Sequence, residues 1–393
     1  MKKYISFLLM MLTYYSFSQQ NDEIIQKSTY YFSIDTKGIL VGDGADFIKN
    51  KIAESHFFLI GEQHNIHAIE TLVSTLIPHF KKNGYQNYVT EIGPISANKL
   101  TELKQNSLPL KSYYSKYIEQ TNLPTFGFFG TKEEEKTLEL LNQYNINLWG
   151  IDFENYSSYL ALIDEIYKNA DKGKISKELY KNVYSFIETE YRKGHNNYNP
   201  ELMNHILKSQ HVNQFLIAAK NDRTSSLIEQ FKLSLEINHQ QTLGFWQPRV
   251  DNMKKNFAEY YHTQQIEDRD VKTFVKLGAV HIARGTSYNG HLEIGNMIYE
   301  LANINQLTSF SIIMFPRYLV NSETKKVEDV IEQEDMEILH YTTPDKWTII
   351  NLGQLQELSI QNGIKLSKDI LSYIEKYDAI IIPPATKYSE IIK

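Results

Sequence analysis

Short apolar runs recur along the chain at residues 56–60 (HFFLI), 88–90 (YVT), 146–151 (INLWGI), 273–277 (TFVKL), 310–314 (FSIIM) and 379–382 (AIII). Runs this short, apolar on both faces and separated by helical patterns, predict buried strands of a parallel sheet. The clearest helical stripe carries Ala68, Ile69, Leu72, Val73, Leu76, Ile77 and Phe80, and it stops at Gly84, a residue that readily takes the left-handed conformation ending a helix. Strand, helix and strand at this spacing form a βαβ unit. The fold class expected is therefore α/β, with a largely parallel central sheet flanked by helices. From about 155 to 245 the chain turns polar and helical without a strand-like run, which predicts a helical insertion. Two late runs, 347–352 and 379–382, are expected as edge strands of the same sheet.

The N-terminus adds an address. Met1-Lys2-Lys3 precedes an apolar run from Tyr4 to Phe17 that ends in small residues at Ser16 and Ser18. The run is too short to span a bilayer, and the pattern is that of an export signal covering 1–18. The mature chain, 19–393, is then expected as a single α/β domain, periplasmic or secreted, with no membrane span. Loss of Lys2 and Lys3 takes the formal charge from −6 to −8, which disfavours nucleic acid as a partner. The chain has no cysteine, so disulfides, thiolate ligands and a cysteine nucleophile are excluded. Any chemistry must come from His, carboxylates, hydroxyls or a bound metal.

Ligands of open parallel sheets bind beyond the carboxyl ends of the strands, and the unusual polar residues of this chain fall there. HFFLI leads into Gly61-Glu62-Gln63-His64, YVT into Glu91, INLWGI into Asp152 and Glu154, and TFVKL into Gly278-Ala279-Val280-His281. One strand-end acid or imidazole is usually structural; two Gly-x-x-His turns and two acids in corresponding places point to a shared site. Glu62, His64, Glu91 and His281 can deprotonate a water by general-base catalysis. Alternatively, His64 and His281 with Glu91 can hold a divalent metal that acidifies the water. The sequence leaves both chemistries open.

Arg249 opens a further helix with Pro248 in its first turn and Asn252 and Asn256 on the same face. It is a candidate for holding a carboxylate or oxyanion, with pairing to a structural acid the competing role. His67, three residues after His64, is expected on a solvated helix start. The segment 122–130 (NLPTFGFFG) suits either an aromatic cleft wall or a packed loop. The Gly-x-Ser-x-Gly elbow, the His-Glu-x-x-His zinc helix and the phosphate-binding glycine loop are absent.

In the order of these landmarks the chain resembles the erythromycin esterase-like proteins and their wider superfamily, which includes the Tiki/TraB proteins and the haem-binding, ChaN-like uptake family. The landmarks are Gly61-Glu62-x-His64, Glu91, Gly150-x-Asp152, Arg249-x-x-x-Met253-x-x-Asn256, His281-Ile-Ala-Arg284, Ile294-Gly295-Asn296 and Tyr377-Asp378-Ala379-Ile380. They extend over roughly 50 to 385. The resemblance implies an α/β core with a helical insertion and a water-activating site at His64, Glu62, Glu91 and His281. It departs from the esterases where Asn65-Ile66 stands in place of Gly-Thr or Gly-Ser after the first His. The paired Gly-x-x-His turns resemble the Tiki/TraB arrangement, whose members are linked to metal-dependent proteolysis.

The function expected is that of an exported hydrolase cleaving an ester, lactone or amide bond in a small-molecule or peptide substrate, with a divalent metal as the possible cofactor. A haem or metal-chelate binding protein without catalysis is the alternative from another class.

Overall fold

A computed structural model describes residues 21–194, 199–267, 271–331 and 337–392. The export segment expected at 1–18 lies outside the described residues. The strands are β1 (Thr29–Ile34), β2 (Leu40–Val41), β3 (Phe57–Glu62), β4 (Asn87–Thr90), β5 (Asn147–Gly150) and β6 (Thr273–Gly278). They continue with β7 (Ser309–Met314), β8 (Tyr318–Val320), β9 (Val327–Asp329), β10 (Trp347–Asn351) and β11 (Ala379–Ile382). Each of the six predicted runs thus contains a strand, and the α/β class with a largely parallel sheet flanked by helices is what the structure shows. The chain divides into two compact units.

The first unit comprises the chain up to Thr75 together with Leu277–Tyr388. Its strands lie in the order β2-β1-β10-β11-β7-β3. β7 runs parallel to both β3 and β11, with Phe57 opposite Ser309 and Ala379 opposite Ile312. All six residues of β3 are buried, as expected for a strand covered on both faces. The helix Asp43–Glu54 covers β1, and its Phe47 packs against Tyr30 and Phe310. The two late runs are not edge strands. β11 lies between β7 and β10, and β10 is covered in turn by antiparallel β1, Phe32 stacking on Trp347. β1 (TYYFSI) is mostly half-buried, with Phe32 its one fully buried residue, and so carries no long apolar run by which to foresee this.

The second unit comprises Leu76–Lys276 and the C-terminal residues from Ser389. Its strands run parallel in the order β6-β4-β5, with Asn87 opposite both Thr273 and Asn147. Between 159 and 242 the described residues form five helices: Tyr159–Asn169, Lys177–Arg192, Leu202–Lys208, Gln210–Ala219 and Ser225–Thr242. They enclose their own apolar core, with Ile163, Val183, Ile187, Leu202, Phe215 and Phe231 all fully buried. Ser176 and Ser209 cap two of these helices by accepting the N–H of Leu179 and Val212, which satisfies donors that a helix start leaves unpaired.

The helix His67–Lys82 buries the whole predicted stripe from Ala68 to Phe80. Gly84 follows it at φ 85°. Among the described residues no helix is long and apolar enough to cross a membrane.

Candidate functional site

In the first unit, β3 carries its polar end on a buried strand. Glu62 is its last residue and is buried, while His64 lies two residues on with its side chain 40% exposed. His64 Nδ1 sits 3.1 Å from Glu62 Oε1. The turn between them and the next helix passes through Asn65 at φ 61°. A left-handed residue here explains the departure from the glycine pattern, because Asn is among the few non-glycine residues that tolerate this conformation.

The second imidazole is built the same way. β6 ends at Gly278, and a 3-10 turn, Ala279–Ile282, presents His281. His281 Nδ1 lies 2.9 Å from Glu293 Oε2, and both residues are buried. The other Glu293 oxygen accepts from Ser287 Oγ at 3.4 Å. Sequence reasoning passed over Glu293 because an acid just before a helix usually serves as a cap. Here it stands at the N-cap of Ile294–Ile304 yet makes no side-chain cap bond.

Two glycines fix this turn against β3. A Cβ on Gly61 would lie 2.4 Å from Ile282 Cγ1 and 2.8 Å from Ala279 Cα, and one on Gly295 would lie 2.1 Å from the Ile282 carbonyl oxygen. Gly61 is therefore needed for close approach, as the sequence suggested. Gly278 has φ −57° and ψ 144°, a backbone open to any residue. Further ties hold the segment: Tyr377 hydroxyl donates to Ala279 O at 3.1 Å, Gly285 N–H to Asn296 Oδ1 at 2.8 Å, and Arg284 to Asp378 at 2.6 Å.

Chemically the two pairs are alike. A tautomer that donates Nδ1–H to the carboxylate places the basic lone pair on Nε2 and orients the ring. That is the arrangement of a general base with its orienting acid.

The second unit holds an acid cluster around Arg249. Glu91 and Asp152 follow β4 and β5, and Arg249 comes from the first turn of the helix Gln247–Glu267. Its Nη2 lies 2.5 Å from Glu91 Oε1 and 2.6 Å from Asp152 Oδ2, and its Nε contacts both Asp152 oxygens at 3.1 and 3.2 Å. Burial alone would lower the guanidinium pKa, but Asp152 and then Glu91 outweigh it and hold the pKa above its ordinary value. Arg249 is thus a clamp for two buried carboxylates, the structural-acid role weighed in the sequence. Asn256 completes the arrangement by donating to the Ile151 and Asp152 carbonyls at 2.9 and 3.2 Å.

Glu154 does something different. It is buried and accepts from the Ile95 N–H at 2.8 Å, the Ser96 N–H and the Ser96 hydroxyl, at the start of the helix Pro94–Gln105. Burial pushes its pKa up to about 7 against the opposing Ser96 and Ile95 hydrogen bonds. Its carboxylate fills the space left by Gly93, where a Cβ would meet Glu154 Oε1 at 2.1 Å. His67 is the first residue of its helix. The segment 122–130 is a packed loop: Phe126 and Phe129 are buried, and Phe126 stacks on Tyr113 at 5.4 Å.

No protein-family model matches the chain. No curated protein matches it. Solved structures do. A succinoglycan biosynthesis protein superposes with a TM-score of 0.58 at 16% identity, over 96% of this chain and 99% of its own. A mutant of the erythromycin esterase EreC in its open conformation superposes with a TM-score of 0.53 at 13% identity, over 93% of this chain and 99% of its own. ChaN of Campylobacter jejuni, solved with cofacially bound haem, aligns at a TM-score of 0.33 and 11% identity, over 91% of this chain and 98% of its own. The chain has the fold of the first two.

Proposed function

We propose that the protein is an exported hydrolase that activates water with a histidine–carboxylate pair to cleave an ester, lactone or amide bond. The observation that carries this reading is the repetition of the pair in the first unit. His64–Glu62 and His281–Glu293 occupy segments that Gly61 and Ile282 bring into contact.

In this reading His281 takes the proton of the attacking water on Nε2, and Glu293 keeps the ring in the competent tautomer and balances the imidazolium that forms. His64 and Glu62 supply the second proton carrier for the leaving group. Glu91, clamped with Asp152 by Arg249, belongs to the second unit and takes no step in this mechanism. A metal-assisted route would draw on His64 and His281 of this unit. The two imidazole–carboxylate pairs fit the general-base form.

The test is a hydrolysis screen of purified protein on esters, lactones and peptides, with and without chelator, beside His281→Ala and His64→Ala. Chelator-insensitive turnover lost in both variants is expected. Turnover retained in both variants overturns the assignment, and loss on chelation replaces general-base with metal chemistry.

A further inference from the structure

The second unit contains a large cleft whose lining includes neither of the strand-end histidines. Its volume is about 730 Å³, and it runs along the outer side of β5 between the helices Pro94–Gln105, Lys132–Gln143, Ser225–Thr242 and Gln247–Glu267. This is the size of cleft that takes small organic ligands. β5 pairs only with β4 in this unit, so its outer side would present bare peptide groups. At its far end these are already satisfied. The Tyr260 hydroxyl takes a hydrogen bond from the Gly150 backbone, and Asn256 donates to the Ile151 carbonyl. The remainder of the strand, with Leu148, faces the cleft.

The lining is unusual in composition. Asn98, Gln105, Asn142, Gln230 and Gln264 all face the cleft, and none hydrogen-bonds through its side-chain amide to another described residue. Gln230 Oε1 is in addition shielded from solvent and without a partner among the described residues, a state that a folded protein ordinarily avoids. Each amide offers donors and an acceptor on one small plane, which matches hydroxyl groups that both give and accept. The apolar component is the part-exposed Tyr260, backed by the buried Trp149 on which it stacks with centroids 5.4 Å apart and planes at 9°.

Charge narrows the ligand. The two charged side chains of the lining are already paired: Lys104 lies 3.6 Å from Glu135 and Glu139, and Glu259 lies 3.8 Å from Lys255. A cleft lined by amides and one tyrosine ring, without a charge left to neutralise, suits a neutral polyhydroxylated molecule with one apolar face. We propose that this cleft binds a short neutral oligosaccharide. Its binding is independent of the hydrolytic reading, since no lining residue belongs to either histidine pair.

Titration calorimetry of the full chain against cellotetraose, maltotetraose, chitotetraose and tetragalacturonate tests it. At least one neutral tetrasaccharide is expected to bind with a Kd between about 10 μM and 1 mM, with the acidic one weaker. Gln230→Ala and Asn142→Ala should each weaken that binding about tenfold or more, while His281→Ala leaves it unchanged. Asn142 is exposed, so its variant folds even if the Gln230 change disturbs packing. The proposal is overturned if no neutral tetrasaccharide binds below about 10 mM, if both amide variants bind as the parent does, or if the galacturonate binds best.

Discussion

His281 and Glu293 face each other across 2.9 Å, imidazole Nδ1 to carboxylate oxygen, with both side chains buried. A buried carboxylate that holds one imidazole nitrogen determines which tautomer the ring adopts. Glu293→Gln keeps the shape but offers an amide that can stabilise the wrong tautomer. The expected result is a loss of turnover of about 10²–10⁴-fold with little change in KM. The pH–rate profile should also move, because the imidazole loses its carboxylate. A purely structural Glu293 would instead lower the melting temperature and leave the profile of the surviving enzyme in place.

The ends of the strands were legible because burial on both faces writes itself as an apolar run, and the first polar residues after such a run stand at the strand end. Glu62, His64, Glu91, Asp152 and His281 were all placed on that ground. Partners were not legible. Glu91 and Arg249 are 158 residues apart in sequence, and no local pattern couples them. Glu293 was hidden by the helix it precedes. β1 and β2 were missed because β1 is mostly half-buried and β2 is only two residues long, so neither writes a long apolar run, and missing them turned β10 and β11 into false edges. Asn65 shows the limit of motif matching: the backbone demands a left-handed residue, and Asn meets it as glycine would.

Gly295 tests the positioning of the His281 turn. A methyl group there would meet the Ile282 carbonyl at 2.1 Å and its Cα at 2.5 Å, backbone atoms that cannot rotate away. Gly295→Ala is expected to destabilise the protein by about 2–4 kcal/mol, or to displace the turn and abolish turnover. Gly290→Ala is a contrast of a different kind, since nothing lies within 4 Å of its Cβ position and only its φ of 79° is strained. That variant should cost about 1–2 kcal/mol. Urea denaturation of both proteins checks the order; equal stability losses would remove the steric argument.

Glu154 gives the fold a pH dependence of definite sign. Its pKa rises from 4.5 to about 7 in the folded protein. Between those values the native state holds a proton that the unfolded chain has released, so native binding exceeds unfolded binding and stability falls as pH rises. The contribution is fully present below pH 4.5 and is lost by about pH 7; it amounts to about 3 kcal/mol. Glu154→Gln cannot ionise and should flatten this part of the curve. Denaturation midpoints of parent and variant across the window provide the check, and parallel curves would show that Glu154 does not titrate there.

Arg249 separates two roles that sequence alone left open. As an oxyanion holder it would be dispensable for folding, and its replacement would appear only in kinetics. As the clamp of Glu91 and Asp152 it neutralises two buried carboxylates, bidentate on Asp152. Removing one member of such a cluster strands the others, at a cost of about 3–5 kcal/mol. Arg249→Met should therefore lower the melting temperature sharply. Arg249→Lys should recover only part of the loss, because an ammonium cannot reproduce the planar fork that engages both acids. Adding Asp152→Asn to Arg249→Met removes one of the stranded charges and should restore stability relative to the single variant. If Arg249→Met melts with the parent while turnover alone collapses, the clamp is wrong and the guanidinium belongs to the chemistry.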